Sequence, residues 1–150
     1  MNPNLADLFQ KKRKQAAGFS VDWDDRRNKY VKAVENLYDQ IDTMLAEPIE
    51  QKTVTIQRRQ KQLTENHIGT YAVPDLILLI GDEQVRFSPR GGNIVGAAGR
   101  IDVIGERAEA MMILNRDAEW GFVQSRQPKV NIAPFDESTF AEVLKLVMRA

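Results

Sequence analysis

The chain contains no cysteine and a single histidine. The first absence removes disulfides, thiolate nucleophiles and thiolate metal sites together, and fits a reducing compartment. Charge of one sign is missing as well: Lys plus Arg and Asp plus Glu are 21 each, so no global field recruits nucleic acid or an anionic membrane. Long hydrophobic runs are absent too. The richest, Leu76-Ile77-Leu78-Leu79-Ile80, is far shorter than the roughly 20 residues a membrane-spanning helix needs. The first twenty residues are charged and lack an apolar centre, unlike a secretory signal, so the expected location is cytoplasmic.

What is present suffices for one domain. A chain of 150 residues with 43% hydrophobic and 28% charged residues can bury a core without metal or disulfide support, and residues 1–150 read as a single unit. The N-terminal third is helical in pattern. Asn4 can cap a first helix with Leu5, Leu8 and Phe9 on one stripe, closing near Gly18. Asp22 can cap a second, whose apolar positions Trp23, Tyr30, Val34, Leu37, Tyr38, Ile41 and Leu45 keep helical spacing until Pro48 stops it. The segment Gly18 to Ser20 between them would let residues 1–17 swing as a helical arm.

Beyond Pro48 the period shortens. Strands are expected near 53–63, 71–80, 84–88, 100–104, 108–114, 120–126 and 129–133, joined by short turns such as Gly81-Asp82-Glu83, Asn115-Arg116-Asp117 and Gln127-Pro128. Connections this short join only antiparallel neighbours, which excludes a doubly wound nucleotide-binding fold. A last helix follows Asp136 as its cap, with Phe135 and Phe140 placed to pack across its first turn and Val143, Leu144, Val147 and Met148 continuing the stripe.

FSPRGGNIVGAAGRIDVIG, residues 87–105, is the one stretch that invites a ligand. Gly91 and Gly96 have the spacing of a phosphate loop, but Ala97 and Ala98 stand where lysine and Ser or Thr would hold phosphate and magnesium. The dinucleotide fingerprint fails because a strand, not a helix, follows Gly99. Glycines here read first as a wide or bulged connection between strands. The functional alternative is an anion site, for phosphate or carboxylate, built from Arg86, Arg90, Gly91, Gly92, Asn93, Arg100 and Asp102, with hydrolysis through Asp102 as an extension. Arg100 and Asp102 fall on one side of their strand, where a plain surface ion pair is the simpler explanation.

Other candidates are weaker. His67 sits in the loop 65–69 without the orienting partners of a catalytic or metal-binding histidine. Two basic clusters, Lys11 to Lys14 and Arg58 to Lys61, would make a nucleic-acid accessory surface only if they were continuous, and neither has interleaved aromatics. Charge on an outer strand also discourages edge-to-edge aggregation. In 108–114 both strand faces are apolar, Met111 and Ile113 alternating with Ala110, Met112 and Leu114. Either the sheet curls until its second face is covered, or a partner covers it.

The expected architecture is therefore α+β: a long N-terminal helix and a C-terminal helix packed on one face of a strongly curved antiparallel meander of six or seven strands. The expected function is non-enzymatic protein binding, with a homodimer as the form of association. No cofactor and no metal are implied by any motif.

Overall fold

The computed structural model of the chain describes residues 3–92, 97–125 and 131–149. Helix α1 (Pro3–Met44) and the short α2 (Ala46–Glu50) precede seven strands, β1 (Val54–Glu65), β2 (Gly69–Ile80), β3 (Glu83–Gly91), β4 (Gly99–Ile104), β5 (Glu109–Leu114), β6 (Trp120–Ser125) and β7 (Asn131–Pro134), and α3 (Glu137–Val147) ends the fold. The strands form one antiparallel sheet in sequence order, as the short turns require.

Two expectations are corrected at the N-terminus. α1 is one continuous helix of 42 residues, so Asn4 and Asp22 lie inside it rather than capping separate helices, and Gly18 does not interrupt it. A single glycine costs a helix only about 1 kcal/mol, which a long run of good helix formers absorbs. Pro48 is likewise not the stop. α1 ends at Met44, and Pro48 falls in the first turn of α2, where a missing N–H leaves no intrahelical bond unmade.

A single core joins both helices to one sheet face. Leu76, Phe87, Val103 and Ala110 stand in register across β2 to β5, as do Ile101, Met112 and Phe122 across β4 to β6. Tyr30, Val34, Leu37, Tyr38 and Ile41 of α1 and Phe140, Val143 and Val147 of α3 close over these residues. Polar tips find backbone partners: Trp120 Nε1 donates to the Ala33 carbonyl at 3.0 Å and the Tyr38 hydroxyl to that of Pro74 at 2.8 Å.

The sheet is not strongly curled, contrary to expectation; it is an open meander with β1 and β7 as its edges. The apolar surplus of β5 has a local explanation. Met111 and Ile113 on the outer face stand opposite Asp102 and Arg100 of β4, and an arginine stem can cover an apolar neighbour while its head stays wet. The unusual strand is β2. It pairs with β1 along its whole length but with β3 only over Leu76–Ile80, and its burial switches sides at Pro74. The outer half of the β1–β2 hairpin thus lies against α1, with Tyr71 edge-on to Tyr30 and His67 stacked on Trp23 at 5.3 Å.

Candidate functional site

On the sheet face away from the helices, two buried carboxylates sit among cations. Asp75 has Lys61 Nζ at 2.7 Å, off the hydrogen-bonding direction, so the oxygen is charge-compensated without an aligned donor. The same ammonium donates to Ser88 Oγ at 2.8 Å. Asp102, only 7% exposed, is held by two arginines. Arg100 grips both oxygens, Nε donating to Oδ1 at 2.8 Å and Nη2 to Oδ2 at 3.3 Å, and Arg90 Nε donates to the same Oδ2 at 2.9 Å.

Backbone geometry creates this convergence. Arg100 and Asp102 alternate on one face of β4, and Arg90 is the extra residue of the bulge where pairing jumps from Pro89–Ile101 to Gly91–Arg100. Two guanidinium groups on one carboxylate leave one positive charge. Each arginine has five N–H donors, and Arg90 Nη1 and Nη2 and Arg100 Nη1 bind nothing among the described residues. Arg86 shares the face, opposite Ile77 and Ile104, but does not join the cluster.

The glycine amides are not available in the same way. Gly91 N–H donates to the Tyr30 hydroxyl at 3.1 Å and Gly92 N–H to Glu65 Oε2 at 3.2 Å. Tyr30 in turn donates to the Arg100 carbonyl at 2.7 Å, and the Tyr71 hydroxyl donates to Glu65 Oε2 at 2.5 Å. Burial pushes the Tyr30 and Tyr71 hydroxyls far above the usual phenol range, with the Glu65 carboxylate adding to the effect at Tyr71, so both remain neutral donors. The glycines seat these groups. A Cβ at Gly91, whose φ is +138°, would strike the Glu65 carboxylate, and one at Gly99 would strike the Tyr30 ring. Asn93 and Gly96 lie outside the described residues.

A cavity adjoins the arginine cluster. It measures about 330 Å³ and is walled by Arg100, Asp102, Met111, Val123, Gln124 and Leu146. A second, of about 530 Å³, opens on the helix side and shares Val123, Gln124 and Leu146 with the first. Their cause is the short β5–β6 ladder. Among the described residues it covers only Met112–Leu114 with Trp120–Phe122, and α3 passes beside the gap this leaves. Leu146, 52% exposed, belongs to both cavities and was missed by sequence reasoning. It lies off the Val143–Val147 stripe, and an apolar residue on the wrong side of a helix is the signal that marks it.

The other candidates are placed as follows. Arg58 turns toward α1, pairing with Asp39 at 2.8 Å and Asp42 at 2.7 Å, while Lys61 serves Asp75, so the Arg58 to Lys61 run is divided between the two sheet faces. Residues 5–13 of α1 are exposed except for half-buried Ala6, with Leu5, Leu8 and Phe9 at 49%, 48% and 65% and Lys11, Lys12 and Arg13 beside them. Lys14 has no described side chain. Among the described residues no three His, Cys, Asp or Glu side chains could jointly hold a metal ion, and no helix is long and apolar enough to cross a membrane. No family model, curated protein or solved structure matches the chain.

Proposed function

We propose that the protein is a non-enzymatic binding protein that engages other protein chains through the N-terminal part of α1, with a second copy of itself as one such chain. The observation that carries this is the stripe Leu5, Leu8 and Phe9, each about half or more exposed on the first turns of α1. Spacing of three and four residues is how a helix presents anchors to an apolar groove. Full burial of such a side chain contributes about 1.5–3 kcal/mol, so half-exposed anchors contribute about 1 kcal/mol each. Association itself costs about 4–15 kcal/mol, so two arms pairing alone form a weak dimer and a partner with a preformed groove binds better.

The test is sedimentation of the purified chain over a range of concentrations beside the variant Leu8→Glu/Phe9→Glu. The native chain should shift toward dimer as concentration rises, and the variant should stay monomeric with unchanged thermal unfolding. A native chain that remains monomeric throughout would refute self-association through the arm.

A second reading is supported by a different observation. Arg90 and Arg100 are oriented by buried Asp102, retain unused donors, and Arg100 lines the 330 Å³ cavity. A preorganised pair of guanidinium forks is suited to a small anion. This reading relies on the arginines alone, the Gly91 and Gly92 amides being engaged within the fold.

A further inference from the structure

We infer that the groove between α1 and the β5–β6 turn is a site for a small phosphomonoester with an apolar body. It encloses about 510 Å³ and shares no lining residue with the cavity beside Arg100. One wall is α1, which contributes Lys29, Lys32, Asn36 and Gln40; the other is the turn, which contributes Arg116 and Asp117. Three cations thus line the groove against one carboxylate. Lys32 and Arg116 make no ion pair or hydrogen bond among the described residues. Lys29 pairs with Asp25 at 2.9 Å, an exposed contact of the weak surface kind that leaves its ammonium open to a ligand. Surplus positive charge on both walls suits a group with about two negative charges near neutral pH, which a phosphomonoester has and a carboxylate lacks.

The floor is apolar. Ala33, Leu37, Leu114 and Trp120 form it, each 8% exposed or less, and Trp120 Nε1 is engaged by the Ala33 carbonyl, so the base presents carbon and no free donor. Asn36 and Gln40, one helical turn apart and unpartnered among the described residues, supply amides for polar substituents on the ligand. An apolar base with a few polar groups around it, in a volume of this size, is the makeup of a small-molecule site. Asn115 also fixes the turn. Its Oδ1 accepts from the Asp117 and Glu119 amides at 2.9 Å each, and its Nδ2 donates to Glu119 Oε1 at 3.3 Å. The backbone at Arg116 is therefore set before a ligand arrives, which limits the ordering cost of binding.

The test is titration of the full chain near neutral pH, followed by NMR and tryptophan fluorescence, with phenyl phosphate, inorganic phosphate, benzoate and benzyl alcohol. Phenyl phosphate should bind about tenfold more tightly than inorganic phosphate, because its ring displaces water from the floor. It should exceed benzoate about threefold or more through its second charge, and benzyl alcohol should bind most weakly. Lys32→Gln and Arg116→Gln should each weaken phenyl phosphate about three- to tenfold, and the double variant about ten- to hundredfold. Both side chains are exposed and unpartnered among the described residues, so thermal unfolding should not change.

Inorganic phosphate binding as tightly as phenyl phosphate would leave a bare anion site and overturn the apolar body. Benzoate matching phenyl phosphate would overturn the phosphomonoester assignment. Phenyl phosphate binding that survives intact in the double variant would place the anion elsewhere on the molecule, and no binding by any of the four would remove the site. Self-association through the arm is read separately, by sedimentation, and stands or falls on its own.

Discussion

Replacing Gly99 by alanine tests whether these glycines are seats for α1 or part of a ligand loop. The added Cβ would overlap Cδ1 and Cε1 of Tyr30, far inside the roughly 3.5–4.0 Å at which carbons make favourable contact. Tyr30 cannot easily move: it is fully buried, and its hydroxyl is held by the Arg100 carbonyl and the Gly91 amide. Gly99→Ala should therefore cost about 1–3 kcal/mol, the usual penalty for overpacking a rigid site. In a Tyr30→Leu background the obstructing ring is gone, and the same glycine substitution should become nearly neutral. Urea unfolding of the native chain, the two single variants and the double variant gives a coupling energy, expected at about 1–2 kcal/mol in favour of the double variant. Additivity to within about 0.5 kcal/mol would show that the glycine is not there for the tyrosine, and would return residues 91–99 to consideration as a binding loop.

Two further outcomes follow from the core and the last helix. All three tyrosines, Tyr30, Tyr38 and Tyr71, have hydroxyls raised by burial above their ordinary value of 10.0, so each stays protonated in the folded chain while the unfolded chain loses its protons above that pH. The stabilisation is fully present below pH 10 and declines as pH rises, by up to about 1.4 kcal/mol per pH unit for each of Tyr30 and Tyr38; tyrosinate absorbance should appear only with base unfolding, and a reversible tyrosinate signal in folded protein near pH 10 would contradict it. At α3, Asp136 accepts from Thr139 N at 2.8 Å while Thr139 Oγ1 accepts from Asp136 N at 2.9 Å. Asp136→Ala should lower stability by about 1 kcal/mol, near 2–4 °C in a thermal scan, and no change would mean the box is not formed in solution.

Much of the fold was legible because its signals are local. Asp136 before an amphipathic run reads as a cap whether or not the sheet is known, and Gly81-Asp82-Glu83 or Asn115-Arg116-Asp117 can close only an antiparallel pair. The pairing of Arg100 with Asp102 was visible in a two-residue spacing on one strand. Arg90 was named beside them, but the way it reaches them was not legible. Arg90 reaches Asp102 only through the bulge at Pro89–Gly91, a register change that propensity does not disclose. Continuity of α1 through Gly18 was misread for a related reason: a weak local break yields to the cooperativity of the long helix around it.

The amino-acid order alone determined an antiparallel meander of six or seven strands between helices, since turn length and hydrophobic period act over a few neighbouring residues. Only the tertiary structure decided what the polar and glycine residues do. Tyr30 and Gly99 are 69 positions apart in the chain, yet one exists to admit the other, and Arg100, Met111 and Leu146 become walls of one cavity because β5 and β6 separate beside α3. Close packing and charge pairing depend on distance in space, which spacing along the chain does not record.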